Sequence, residues 1–337
     1  MGVKLKDILI RRPLSLKDFS GKVLVVDAYN MLYQFLSNIR ARDGSLLTDS
    51  RGNVTSHLIG LFSRCTNLME KGVRLVFVFD GVVPELKHKE LSRRAELKKE
   101  AARKYEAALA VKDFEQMQKF GARTSRLTKS MVGDAKRLLS LLGIPCVQAP
   151  SEGEAQAAFI VKRGDAWAVS SQDYDSLLFG APRLVQNLSI EGRRKVPGKF
   201  SYVRVEPVLI DLDENLRNLG ISQEKLLWLA VLVGTDYNPS GVKGIGPKKG
   251  LALVKEHETA ESLFSSVELA DDVDWRDVLK TFEEIKVTDN YTISWHPVDK
   301  KGLFDFLVNE RDFSEVRVNK FLGSLCGSLQ KGLGDFL

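Results

Sequence analysis

Short, densely apolar runs alternate with stretches of helical periodicity through the first two thirds of the chain. Val23–Asp27 (Val-Leu-Val-Val-Asp) and residues 73–80 are β-branched runs that end in Asp. Between them, apolar positions from about 53 to 71 recur at helical spacing. Residues 144–147, 166–170 and 183–186 read as further strands, and 154–162 reads as a crossover helix. Strand, helix, strand in that order, with right-handed crossovers, predicts an α/β fold with a mostly parallel central sheet and helices on both faces. The stretch from 84 to 144 breaks the alternation. It has no strand signal, is rich in Lys, Arg, Glu and Ala, and predicts two or more helices interrupted near 121–125. From 222 to about 285 the pattern is helical again, around a glycine-rich turn at 241–246. Beyond about 314 it reads as a helix running into a tail.

Charge adds to this outline because it is uneven. The net charge is +6, yet residues 85–137 hold 15 Lys or Arg against 8 Asp or Glu, so the remainder sums to 6 − 7 = −1. A local basic segment suits a polyanionic partner, although a solvated helix face accounts for it equally well. With 44% hydrophobic residues among 337, the chain has enough apolar surface for a large core. No run reaches the ~18 apolar residues of a membrane span, and the first residues lack an apolar signal core. Cys65, Cys146 and Cys326 are odd in number and far apart. These features together predict an intracellular protein in a reducing compartment.

The candidate chemistry is acidic. Asp27 and Asp80 close the first two strands, and Glu152, Glu154, Asp173, Asp175 and Asp236 fall in later turns. Carboxyl ends of strands in an open α/β sheet converge on one edge, so acids from distant segments can share a pocket there. Oxygen ligands without paired His or Cys favour Mg²⁺ or Mn²⁺ over zinc. Taken singly, each acid has a plainer reading. Asp27 and Asp80 suit turns or helix caps, Ser151-x-x-Glu154 matches a capping box, and Asp173 suits a cap on the segment 174–179. Two pairs at i, i+2 (Glu152/Glu154 and Asp173/Asp175) exceed what capping requires and suit the bridging of two ions. Lys87, Arg94 and Lys98 fall on one helical face just after Asp80, where cations can stabilise a phosphate in its transition state. Tyr33 follows Asp27 within a helix, where an aromatic is either core or a stacking platform for a base. In Gly244-Ile245-Gly246-Pro247-Lys248-Lys249, the glycines permit a tight turn and Pro247 suits the first helical position. The free N–H groups at such a helix start bind phosphate, as in a helix-hairpin-helix.

These residues carry a resemblance. Val-Val-Asp27-Ala-Tyr-Asn-Met-Leu-Tyr33, Thr55-Ser-His57-Leu, Val-Phe-Asp80-Gly, Ala-Pro-Ser-Glu152-Gly-Glu154-Ala, Gln-Asp173-Tyr-Asp175 and Gly-Thr-Asp236-Tyr, followed by Gly-Ile-Gly-Pro-Lys, stand in the order seen in the flap endonuclease family of the XPG superfamily. Across nearly the whole chain the sequence is similar to that family, most of all to its archaeal members. The resemblance implies a PIN-like 5′ nuclease fold and a structure-specific endonuclease that removes 5′ flaps from branched DNA in replication and repair. It implies two Mg²⁺ ions, with Mn²⁺ as a substitute, among Asp27, Asp80, Glu152, Glu154, Asp173, Asp175 and Asp236. Lys87 and Arg94 would meet the scissile phosphate and Tyr33 the adjacent nucleotide. Gly244, Gly246, Lys248 and Lys249 would hold the downstream duplex, with K⁺ at the hairpin. Thr55, Arg311 and Phe313 match the region that receives a one-nucleotide 3′ flap. Gln330, Leu333, Phe336 and Leu337 resemble a motif that docks onto a sliding clamp (PCNA), with Leu337 where a second aromatic is common. Gly153 stands where the family usually has a larger small residue, and is expected to loosen the first helical turn.

On this reading residues 1–318 form the nuclease core, containing a helical arch insertion at 84–136 and the helix-hairpin-helix region at 222–285. Residues 319–337 form the end of the last helix and the clamp-binding tail. The protein is expected to be a monomer, cytoplasmic in an archaeon and nuclear in a eukaryote. A 5′ exonuclease or gap nuclease of the same superfamily, a non-catalytic junction-binding scaffold and a PIN-type ribonuclease are the competing readings.

Overall fold

The computed structural model describes residues 2–188, 192–195, 202–270 and 273–331. Its strands are β1 (Arg12–Pro13), β2 (Val23–Asp27), β3 (Arg74–Phe79), β4 (Cys146–Gln148), β5 (Ala168–Ser170), β6 (Arg183–Gln186), β7 (Gly192–Lys195), β8 (Tyr202–Val205) and β9 (Val208–Asp211). Seven of them form one sheet in the order β1-β9-β6-β5-β2-β3-β4, while β7 and β8 make a separate antiparallel pair. The pairings β2 with β3 and β5, β3 with β4, and β5 with β6 are parallel. Only β9 and β1 are added antiparallel. The chain runs outward from β2 to one side and later returns to its other side, so the strand order reverses at β2. A crevice opens at such a switch point, outside the carboxyl ends of the strands.

Alternation along the central strands explains why they are apolar at nearly every position. Val25, Val76 and Val78 point into one core, whereas Leu24, Val26, Leu75, Phe77 and Phe79 point into the other. The second core is covered by α1 (Ala28–Asn38), α2 (Ser56–Glu70) and, beyond α3 (His88–Ala110) and α4 (Phe114–Gly121), by α5 (Lys129–Leu141). The first core is covered by α6 (Gly153–Lys162), α7 (Asp175–Leu178), α8 (Leu212–Leu219) and α9 (Gln223–Val233). Then come α10 (Pro247–Glu256), α11 (Ala260–Ser265) and α12 (Trp275–Glu283), which extend that side, and α13 (Lys300–Phe304) and α14 (Glu315–Lys331), which return to the second core. Among the described residues, no helix is long and apolar enough to cross a membrane.

Most departures from the sequence reading are local. The strand expected at 144–147 begins only at Cys146, because Pro145 has no N–H to give the ladder; its carbonyl instead accepts from Phe77 N. The pairs β1/β9 and β7/β8 are absent from the sequence reading, each strand being only two to four residues long. The insertion breaks where expected: α4 ends at Gly121 and a 3₁₀ turn covers Ala122–Thr124. The long helix α3 buries only Glu90, Ala101 and Ala108, so it stands away from both cores.

Residues 285–299 contain no helix or strand and are tied down by specific bonds. Gln156 exchanges two hydrogen bonds of 2.8 Å with the Thr288 backbone. The Trp295 indole donates to the Leu75 carbonyl at 2.9 Å and lies under the Arg74 guanidinium. His296 N and Asp299 N bond to the carbonyls of Gly143 and Leu141. The segment thereby passes from the first core to the second.

The contact of α1 with α2 depends on Gly60, where an added Cβ would lie 2.3 Å from Phe35 Cγ. Phe35 is a buried ring that cannot swing aside, so overpacking follows. Gly60→Ala should destabilise the protein by about 1–3 kcal/mol in denaturant unfolding. An unchanged midpoint would mean that the two helices separate freely.

Candidate active site

Five segments bring their acids to the carboxyl edge of the sheet. Asp27 is the last residue of β2 and also the N-cap of α1, accepting from Asn30 N at 3.0 Å. Asp80 follows β3 directly. Glu152 is the N-cap residue of α6 and Glu154 lies in its first turn. Asp173 sits between β5 and α7, and Asp175 opens α7. Asp236 follows α9 in a turn where Thr235 Oγ1 donates to Asn238 Oδ1 at 2.7 Å and Asn238 Nδ2 donates to the Val231 carbonyl at 2.7 Å.

Capping explains one of these acids, not the set. The capping box expected at Ser151 and Glu154 is not formed: the Ser151 hydroxyl donates to the Val82 carbonyl, and Glu152 makes no side-chain cap bond. Asp173 does not cap α7 either; its oxygens accept from Gly2 N at 3.0 Å and Asn30 Nδ2 at 2.9 Å. Asp80 Oδ1 accepts from Gly153 N at 2.7 Å, and an added Cβ at Gly153 would lie 2.6 Å from that oxygen. The glycine thus admits the Asp80 carboxylate against the start of α6. Likewise a Cβ at Gly2 would lie 2.4 Å from Asp175 Oδ1, while Val3 N donates to that oxygen at 2.8 Å.

Cations enter from the insertion. Lys87 closes a 3₁₀ turn just before α3, and its Nζ reaches Glu152 Oε1 at 2.6 Å and Asp236 Oδ2 at 3.2 Å. Arg94, two turns into α3, places Nη2 2.5 Å from Asp236 Oδ1. Lys98 lies one turn further along, its Nζ 4.7 Å from the centre of the Tyr33 ring. The hydroxyl of Tyr237 donates to Glu152 Oε2 at 3.0 Å, and Ser171 Oγ lies 3.1 Å from Glu154 Oε1 and 3.3 Å from Asp27 Oδ2. Asn30, Ser171 and Tyr237 have no role in the sequence reading, although each stands within three residues of an acid, whereas Gly2, which the family resemblance places near the active site, does meet Asp173.

Electrostatics mark this edge as strained. Burial, then the charges of Asp80 and Asp173, push Asp27 up to about 7. Burial, then Asp236 and Asp173, push Asp175 up to about 7. Burial also raises Asp80, and it raises Glu154 well above the usual carboxylate range with help from Asp175 and Asp27. Lys87, which burial alone would push down, is held up by Glu152 and Asp236. As placed, no three His, Cys, Asp or Glu side chains among the described residues converge on one ion. By chemistry the donor set still fits a hard divalent cation, because every donor is oxygen and four of the acids need positive charge to stay ionised.

Other predicted residues lie elsewhere. Gly244 (φ +78°), Gly246, Lys248 and Lys249 are exposed at the turn into α10, whose first residue is Pro247. Thr55 is buried before α2, Phe313 packs edge-on against Phe62, and Arg311 makes an ion pair with Asp134 at 3.0 Å. The backbone of Gln330 belongs to α14, while Leu333, Phe336 and Leu337 lie outside the described residues.

The raised acids carry a pH consequence. A carboxyl whose folded pKa is about 7 against an ordinary 3.8 binds its proton more tightly when folded. That stabilisation is complete below the ordinary value and is lost as pH rises through the folded one. Without divalent metal, the thermal midpoint should therefore fall between about pH 5 and about pH 8, and Mg²⁺ should flatten the fall. A metal-free midpoint that is level or rising over this range would contradict the assignment.

Comparison with known proteins agrees with the geometry. The XPG N-terminal domain matches residues 1–101 and the XPG I-region matches residues 143–236. The chain is 51% identical to flap endonuclease 1 of Thermofilum pendens over 327 residues, covering 96% of this chain and 94% of that protein. It is 48% identical to flap endonuclease 1 of Pyrococcus horikoshii, with 98% and 96% covered. The solved structure of flap endonuclease-1 from Methanococcus jannaschii superimposes with a TM-score of 0.76 at 43% identity, covering 96% of this chain and 98% of that one. The chain therefore belongs to the flap endonuclease family, structure-specific and metal-dependent nucleases that remove 5′ flaps.

Proposed function

We propose that this chain cuts branched DNA at the base of a 5′ flap with Asp27, Asp80, Glu152, Glu154, Asp173, Asp175 and Asp236 holding two Mg²⁺ ions, Mn²⁺ being able to replace them. The observation that carries this reading is the meeting of acids from five segments with Lys87 and Arg94 at one sheet edge. Bound there, the ions would activate water and offset charge at the reacting phosphate. Lys87 and Arg94 exchange part of their contact with Glu152 and Asp236 for the scissile phosphate, and place positive charge where negative charge builds. Tyr33 offers its ring to the adjacent base, with Lys98 giving way or remaining on the opposite face.

DNA beyond the cut is held away from the acids. The exposed Gly244, Gly246, Lys248 and Lys249 grip the backbone of the downstream duplex, with K⁺ bound at the hairpin. The insertion at 84–136 acts as the arch over the 5′ strand, and its surplus of cations supplies non-specific attraction for phosphates. Thr55, Arg311 and Phe313 border the place for a 3′ flap nucleotide, although Arg311 must first loosen its pair with Asp134. Residues 1–318 serve as the nuclease core, with 222–285 as its hairpin region. Residues 319–337 serve as the attachment to a sliding clamp through Gln330, Leu333, Phe336 and Leu337, the enzyme itself being a monomer.

The test is incision of a 5′-labelled double-flap DNA with Mg²⁺ and with EDTA. Cleavage at the junction should require Mg²⁺ and be absent from a single-stranded control. Lys87→Ala should slow single-turnover cleavage by about 10²–10³-fold. Asp173→Asn should abolish cleavage while leaving DNA binding intact. Full activity in Asp173→Asn would sink the two-metal assignment.

A further inference from the structure

Glu90 is a carboxylate with no part in the acid cluster, yet it is only 2% exposed. It lies in the first turn of α3, the helix that carries Arg94, on a helix otherwise almost free of buried side chains. Its Oε1 accepts from Arg94 Nε at 2.6 Å and from Arg93 Nη2 at 2.8 Å, and its Oε2 accepts from Arg93 Nε at 2.6 Å. These are i, i+3 and i, i+4 pairs, geometrically ordinary for a helix. What is not ordinary is the carboxylate's burial: Glu90 is withdrawn at the base of the insertion beside the active edge, while the Arg94 side chain is 26% and that of Arg93 50% exposed.

From this geometry we propose that Glu90 is a positioning residue for the cleavage reaction, holding the Arg94 guanidinium by its Nε so that its Nη end faces the site of the scissile phosphate. A guanidinium is planar, and a bond to Nε on one side with a bond from Nη2 to Asp236 on the other fixes both its position and its plane. The inference rests on the reading that Arg94 serves the phosphate and Asp236 the metal. When Asp236 takes up that role, Glu90 is the partner that still anchors Arg94. The same carboxylate lets Arg93 and Arg94 stand side by side, since it lies between two like charges that would otherwise repel. Its place in the first turn also suits the positive end of the helix dipole.

The alternative is a purely structural anchor for the start of α3, and a double-mutant cycle separates the two. Single-turnover cleavage of double-flap DNA with Mg²⁺ is measured for Glu90→Gln, Arg94→Ala and the double variant. DNA affinity is measured with Ca²⁺ in place of Mg²⁺. Glu90→Gln should slow cleavage by about ten- to a hundredfold, as expected of a misplaced group, with affinity and melting temperature unchanged. In the Arg94→Ala background it should have no further effect, because its function is exercised through Arg94. Glu90→Met, which keeps the length of the side chain and suits burial, should reproduce the loss if Glu90→Gln proves unstable. Wild-type cleavage by both Glu90 variants would overturn the proposal, and so would an equal loss with and without Arg94. Wild-type cleavage by Arg94→Ala alone would instead overturn the underlying assignment of Arg94 and this inference with it.

Discussion

The rest of the structure depends on keeping seven carboxylates at one edge without letting them repel each other apart. Four of them are pushed towards protonation, with burial the largest cause in each. Two unit charges 4 Å apart repel by roughly 4 kcal/mol at an effective dielectric near 20, and a whole domain is held by only ~5–15 kcal/mol. A pocket like this is tolerated only on a rigid support with positive charge close by. The parallel sheet supplies the support, since Asp27 ends β2 and Asp80 follows β3, adjacent strands locked in register by Val23↔Arg74 through Asp27↔Val78. The charge comes from Lys87 and Arg94, aided by the N–H dipoles of the Gly2, Val3 and Gly153 backbone.

That arrangement joins the two halves of the molecule. Helix α3 barely touches either core, and at the sheet edge its start is held by the ionic contacts of Lys87 and Arg94 with Glu152 and Asp236, while further along Lys98 meets Tyr33 and Tyr105 donates to the Asp43 carbonyl. The base of the insertion is thus held by the same charges that the proposed chemistry would use. A change in the balance of charge at the sheet edge changes the hold on the insertion.

Much of this was legible in the sequence because it rests on period and punctuation. The strand at Val23–Asp27 appears with unchanged bounds, as does the break at Gly121 and the proline that opens α10. The acids were legible because Asp and Glu follow apolar runs that have no reason to end in charge. Less legible were contacts made across the chain by residues of ordinary character. Tyr237 reaches Glu152 across 85 positions and Gly2 reaches Asp173 across 171, and no local pattern marks either. The capping box at Ser151 failed for the same reason: its hydroxyl found a partner 69 positions away. Gly153 was visible as an oddity, but its purpose required seeing Asp80 against it.

Residues 285–299 and the two helices after them give the fold a definite order of completion. Leu303, Phe306, Leu307, Val318 and Phe321 fill the second core beneath α2 and α5, and the segment before them stitches that side to the first core. Every acid of the active edge precedes residue 237 in the sequence. As the chain leaves the ribosome, every acid of that edge has therefore been synthesised while the second core, though already overlaid by α1, α2 and α5, still lacks the filling that Leu303, Phe306, Leu307, Val318 and Phe321 supply. A nascent chain at that stage carries all seven acids on a scaffold whose second core is only partly filled. Closure of that core, and with it protection from aggregation, waits for residues 303–321.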